Sequence, residues 1–155
     1  MKNFRALFEA ELEGTDGQAT IIGARELLPT KHIDPRFEAI HKSGPATPPT
    51  KIQVQELAVN GELLDLLQDV SAFDTLPFMQ SQIVQVCHRH PDWLQANGMP
   101  NLFLCKMGEA NSDLFVVSAF LDNWSRFFFM RRELHERILW RGRQFHLRFF
   151  FKVRR

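Results

Sequence analysis

The hydrophobic positions of this chain change period part-way along it. Near the start, Phe4, Leu7, Phe8 and Leu12 stand at helical spacing, and Gly14 follows as a stop, which predicts a helix over Phe4–Leu12. Thr15–Gly17 reads as a turn, and Ala19–Ala24, with Ile21 and Ile22, as a short strand. Asn60 is placed to cap a helix over Gly61–Val70. At about 100° per residue, Leu63, Leu66, Leu67 and Val70 share one arc, and Glu62, Asp65 and Asp69 the opposite one. Pro77 opens a second predicted helix that runs to about His90, where Pro91 stops it. Met79, Ile83, Val86 and His90 form its apolar face. Pro91–Asn97 adds a turn that Gly98 ends.

The last third reads as strands. Leu102–Met107, Leu114–Leu121 and Arg126–Glu133 are separated by the turn clusters Gly108–Asp113 and Asp122–Asn123. Arg126–Trp140 also fits a helix through Phe127, Met130, Leu134 and Ile138, but the Phe run and the short turn signals favour strands. At the end, Phe145, Leu147, Phe149, Phe151 and Val153 alternate with Gln144, His146, Arg148, Phe150, Lys152 and Arg154. Only Phe150 breaks the alternation, so a strand with one face in the core is expected. Gly142 suggests a bulge before it. The expected architecture is α+β: two or more helices packed on one face of an antiparallel meander of about four strands, with the C-terminal half mostly β.

A length of 155 residues predicts a single domain over 1–155. Residues 41–51 carry three prolines and a glycine and read as a loop or linker. They divide an N-terminal arm, residues 1–40, from a compact core, residues 52–155. Apolar residues make up 45% and charged residues 24%, which excludes a mostly disordered chain, collagen and a disulfide-rich miniprotein. No run reaches the length of a membrane helix, and no apolar run follows a basic start. With only Cys87 and Cys105, reduced thiols and a cytoplasmic location are expected, without contact to membrane.

Charge is unevenly spread. Residues 126–155 hold ten Arg and Lys against Glu133 and Glu136, a balance of +8. The whole chain carries +1, so residues 1–125 hold −7. The two parts either neutralise each other within the fold or leave a basic segment for an anionic partner.

The leading candidate site is the outward face of the final strand: His146, Arg148, Phe150, Lys152 and Arg154, extended by Arg141 and Arg143. A ring among cations on a sheet suits single-stranded nucleic acid, with the ring stacking a base and the cations tracking phosphates. The same face suits an acidic protein surface. A large exposed patch of Phe and Arg that includes Phe128 and Phe150 would be the mark of such a face. A protein partner or self-association is the first expectation and nucleic acid the alternative. A Phe-rich terminal strand at a sheet edge would favour self-pairing.

Other chemistry is thin. Cys87 and His90, three residues apart, could offer two zinc ligands, with His88 adjacent and Cys105 distant, but a full site needs four and no paired Cys-x-x-Cys exists. Glu62, Asp65 and Asp69 oppose a leucine stripe, as a solvated helix face does. Cys87 beside His88 does not make a dyad, because neighbours on a helix point about 100° apart. Trp93, Trp124 and Trp140 read as packing residues. No catalytic residue, metal or cofactor is expected, and a non-enzymatic binding protein is.

Overall fold

The computed structural model describes residues 3–40, 42–67, 77–106 and 114–153. Its centre is a seven-stranded sheet. In chain order the strands are β1 (Phe4–Leu12), β2 (Thr30–Ile33), β3 (Thr50–Leu57), β4 (Asn60–Glu62), β5 (Pro100–Lys106), β6 (Leu114–Leu121), β7 (Phe127–Glu133), β8 (Leu139–Arg141) and β9 (Arg148–Lys152). The large sheet runs β1-β3-β9-β5-β6-β7-β2, and β4 pairs with β8 in a separate ribbon. All pairs are antiparallel except β5–β9 and β2–β7. The helices α1 (Leu63–Leu67), α2 (Gln80–Arg89) and α3 (Gly142–Phe145) are short, and 3-10 turns span Ile22–Glu26, Pro35–Ile40 and Pro91–Trp93.

The molecule is therefore mixed α and β with an antiparallel tendency, but its sheet is larger than a four-stranded meander and its helices are few. The expected N-terminal arm is the main reason. Residues 1–40 contribute both edge strands, β1 beside β3 and β2 beside β7. Phe4–Leu12, predicted as a helix, is strand β1. A bulge between Ala6 and Phe8 turns Phe4 to one sheet face and Phe8, Ala10 and Leu12 to the other. That switch breaks the two-residue rhythm and leaves a spacing that imitates a helix. Ala19–Ala24, predicted as a strand, leads into the first 3-10 turn instead.

One face of the sheet is covered and the other is covered in part, which corrects the expectation of one wholly open face. On the first face, α2 and the 3-10 turns bury Ile52, Val54, Phe103, Phe115, Val117, Phe129 and Phe150. On the second, α1 and Leu147 cover Phe4, Leu57, Leu102, Leu104, Val116 and Phe149. Burying a side chain such as Phe or Leu contributes about 1.5–3 kcal/mol, so two layers rather than one hold the sheet. The predicted stop at Pro91 agrees with α2 ending at Arg89. At the other end of α2, the Met79 N–H donates to Gln82 Oε1 at 3.0 Å. The leucine stripe of α1 is buried at Leu63, Leu66 and Leu67. Asp69 and Val70 lie outside the described residues, as do the predicted Gly108–Asp113 turn and Arg154.

The C-terminal strand is not an edge. β9 lies between β3 and β5, which removes the basis for self-pairing along it. It is also shorter than the alternation suggested, because residues 142–145 form α3. Gly142 is not a bulge but a close approach: a Cβ there would lie 2.4 Å from Leu57 Cγ and 2.6 Å from the Val59 carbonyl oxygen.

Candidate functional site

The cover of the second face stops short. Beyond Ser118, itself 1% exposed, Phe120 of β6 and Phe128 and Met130 of β7 on that face are only part-buried. There the register sets His32 of β2, Phe128 of β7 and Phe120 of β6 in one row. The His32 and Phe128 rings are 5.1 Å apart, and Phe120 meets Phe128 edge-on at 6.0 Å. Met130, two residues on from Phe128, continues the face. Together Phe120, Phe128 and Met130 floor a shallow cleft of about 350 Å³, rimmed by Lys31, Gly98, Asp122 and Arg126.

The β6–β7 turn stands beside this cleft and is tightly held. Asp122 Oδ1 accepts from the N–H groups of Trp124 and Arg126, both at 2.9 Å. Asp122 Oδ2 accepts from Arg126 Nε at 2.9 Å. The Arg126 N–H is the main influence that keeps the Asp122 carboxyl below its usual range, with the Trp124 N–H and the Arg126 side chain adding to it. Ser125 takes a positive φ of 58° to close the turn. The turn presents Trp124, which is 77% exposed, and Arg126 lies over its ring at 5.1 Å. Trp124 is thus no packing residue.

The arrangement offers an apolar floor, an aromatic knob and a cationic border. Lys31 and Arg126 supply the cations. The one acid of the cleft, Asp122, is paired with Arg126. The signal for this face lay in the sequence: if Phe127 and Phe129 point into the core, Phe128 and Met130 must point the other way. Of the two Phe residues expected to mark an exposed patch, Phe128 lies here and is part-buried.

The residues expected on the outward face of the final strand do not stand together. Phe150 is 1% exposed and stacks on Phe103 at 4.5 Å, so no base can reach its ring. It breaks the alternation because β9 is a central strand covered on both faces. Arg148 and Lys152 share its face and are part-buried. Arg148 donates from Nη1 to the Trp93 carbonyl oxygen at 2.6 Å, and burial lowers its pKa against the opposing pull of Glu56. Lys152 lies over the Phe78 ring. His146 is exposed and pairs with Glu56 at 3.1 Å. Arg141 and Arg143, at the ends of β8 and α3, are exposed and have no ion-pair partner among the described residues. The aromatic beside them is Phe145, 45% exposed.

The thiols and acids weighed for chemistry separate in the same way. Cys87 and Cys105 are free and buried in one core, and burial pushes both thiols up, Cys105 to about 12. His90 instead turns to Glu13, with Nε2 at 2.9 Å from both carboxylate oxygens, and stacks on Trp93 at 3.8 Å. That hydrogen bond from His90 is the main reason the Glu13 carboxyl sits below its usual range. Glu62 pairs with Arg137 at 3.5 Å and Asp65 is exposed. Among the described residues, no three His, Cys, Asp or Glu side chains gather as metal ligands do, and no helix is long and apolar enough to cross a membrane. No family model, no curated protein and no solved structure matches this chain.

Proposed function

We propose that this is a non-enzymatic interaction protein that binds a partner protein through the second face of β2, β7 and β6. The carrying observation is Trp124, held out by a turn that Asp122 fastens, next to an apolar cleft. Binding energy concentrates on Trp and Arg anchors seated beside apolar pockets. A turn already fixed by Asp122 loses little entropy on docking. The cationic border selects the partner's chemistry: an apolar or aromatic side chain to enter the cleft, flanked by carboxylates for Lys31 and Arg126. The two free, buried thiols fit a reducing compartment such as the cytoplasm.

A selection from a displayed library of random peptides tests this reading. The enriched sequences are expected to combine Asp or Glu with a large apolar residue, and to lose binding when the bait is Trp124→Ala or Phe128→Asp. Enriched peptides that bind both variants as well as the parent would remove the face from consideration.

A second reading has its own observation. Arg141, Arg143 and Phe145 place an exposed ring beside exposed cations, within the C-terminal basic segment, with exposed His146 next to them. This patch suits single-stranded RNA or DNA better than the buried Phe150 does. Fluorescence anisotropy of a labelled single strand at low and high salt separates the readings. Salt-sensitive binding that Phe145→Ala weakens would support the nucleic-acid reading.

A further inference from the structure

Two lysines from distant parts of the chain line one cleft beside α2. Lys42 and Ser43 belong to the loop before β3, and Lys106 ends β5. Met79 and Ser81, where α2 begins, and Pro45 also line it. Its volume is about 290 Å³, at the lower end of the range for small-molecule pockets. Its walls are fastened to one another. The Phe78 N–H donates to the Leu104 carbonyl oxygen at 2.7 Å, and the Lys106 N–H to the Phe78 carbonyl oxygen at 3.2 Å. These bonds set the end of β5 beside Met79. On the loop side, the Gly44 N–H donates to the Gly17 carbonyl oxygen at 2.9 Å. Gly17 has a φ of 80°, and a Cβ there would lie 2.3 Å from the Pro45 carbonyl oxygen, so only glycine allows this approach. Thr15 and Thr47 exchange backbone hydrogen bonds of 3.0 and 2.9 Å, and the Thr15 hydroxyl lies 2.8 Å from Ser81 Oγ. The loop that carries Lys42 is thus tied to the start of α2.

The lining combines two kinds of chemistry. Two ammonium groups on one small cleft favour a doubly charged anion, and lysine binds phosphate as a point charge. The Ser43 hydroxyl adds a donor. Met79 and Pro45 add apolar surface, which a bare inorganic ion would leave unused. The carboxylates of Glu13 and Asp16 line an adjoining cleft, together with His88 and Arg89, that shares Ala19 and Ser81 with this one. Both are engaged there, Glu13 with His90 at 2.9 Å and Asp16 as acceptor of the Gln18 N–H at 2.9 Å.

We infer that this cleft binds a small organic phosphate, with the phosphoryl oxygens against Lys42 and Lys106 and the carbon skeleton against Met79 and Pro45. Each half of such a ligand meets the lining that suits it. The phosphate meets cations and a hydroxyl, and the organic part meets a thioether and a proline ring. Because the walls are already joined by hydrogen bonds, little ordering is left for the ligand to impose. The cleft shares no lining residue with the one floored by Phe128, so this inference stands apart from the proposed binding face.

The test is titration calorimetry of the full chain with phenyl phosphate at low salt and about pH 7.5, where a phosphate monoester is mainly a dianion. One saturable site is expected. Lys42→Gln and Lys106→Gln should each raise its Kd about tenfold, the loss of one charge-assisted contact. Lys51→Gln removes the same charge from an exposed residue paired with Glu9, and should leave the Kd unchanged. Inorganic phosphate should bind more weakly than phenyl phosphate. If Lys106→Gln does not fold, Lys42→Gln decides alone, since Lys42 is exposed. A parent protein with no saturable binding, or a Lys42→Gln protein that binds as the parent does, would overturn the inference. An equal loss in Lys51→Gln would do the same, because the attraction would then be diffuse. Inorganic phosphate binding as tightly as the ester would remove the organic part of the assignment.

Discussion

The Arg126 guanidinium lies over the exposed Trp124 ring at 5.1 Å, while its Nε donates to Asp122 Oδ2 at 2.9 Å. One carboxylate thus orients a cation that in turn orients an indole. The stack itself contributes only about 0.5–1 kcal/mol at so exposed a place. Its consequence is geometric: the ring is held against Arg126, which borders the cleft.

If Asp122 sets that geometry, replacing it should free the indole before it affects the fold. Asp122→Ala removes the acceptor of the Trp124 and Arg126 N–H groups and of Arg126 Nε. In a Trp93→Phe, Trp140→Phe background, the time-resolved anisotropy of Trp124 should decay faster in this variant. An unchanged decay would show that the turn does not depend on Asp122.

Two Phe residues on opposite faces of the sheet should behave in opposite ways. Phe150 stacks on Phe103 in the core of the first face, so Phe150→Ala should cost about 3–5 kcal/mol of stability. Phe128 is part-buried where the cover of the second face ends, and Phe128→Ala should cost clearly less while weakening partner binding. Urea unfolding of both variants checks the contrast. Equal losses would mean that Phe128 is core as well.

Asp34 ties the second 3-10 turn to β7. Its burial opposes ionisation, but hydrogen bonds from the Arg36 side chain and N–H and from the Arg131 N–H outweigh it and hold the carboxyl at about 2. Arg36 also donates to the Arg131 carbonyl oxygen and pairs with Glu136. Because the folded value lies below the ordinary one, the contribution is complete above about pH 4 and is lost as pH falls through about 2. It amounts to about 2 kcal/mol at neutral pH. Asp34→Asn should remove that part of the acid sensitivity, measured as unfolding free energy between about pH 5 and pH 2. A variant whose stability still falls as steeply would place the acid sensitivity elsewhere.

The sequence disclosed most of the central strands and little of the edges. β6 and β7 match their predicted ranges closely, since Leu114–Leu121 and the Phe127–Met130 run are bounded by clear turn residues. α2 was legible from Pro77, the Ile83–Val86 face and Pro91. β1 was not, because its bulge inserts one residue into the alternation. β2 has four residues and a polar outline, and it pairs in parallel with a strand far along the chain, which local pattern does not reveal. The candidate site moved for a related reason. Alternation shows which residues of β9 share a face, but not that another layer covers that face. Phe150 was the visible warning, as an apolar residue among the polar set. Arg141, Arg143 and His146 are as exposed as expected, whereas Arg148 and Lys152 are drawn into the covered layer.

The central claim is that Trp124 anchors a protein partner. The most direct measurement is the Kd of one selected acidic, apolar peptide for the parent protein, for Trp124→Ala and for Phe145→Ala, by isothermal titration calorimetry. Truncating a Trp anchor should weaken binding by at least about tenfold, a loss of about 1.4 kcal/mol or more, while Phe145→Ala leaves the Kd unchanged. A Trp124→Ala protein that binds the peptide as tightly as the parent would contradict the account.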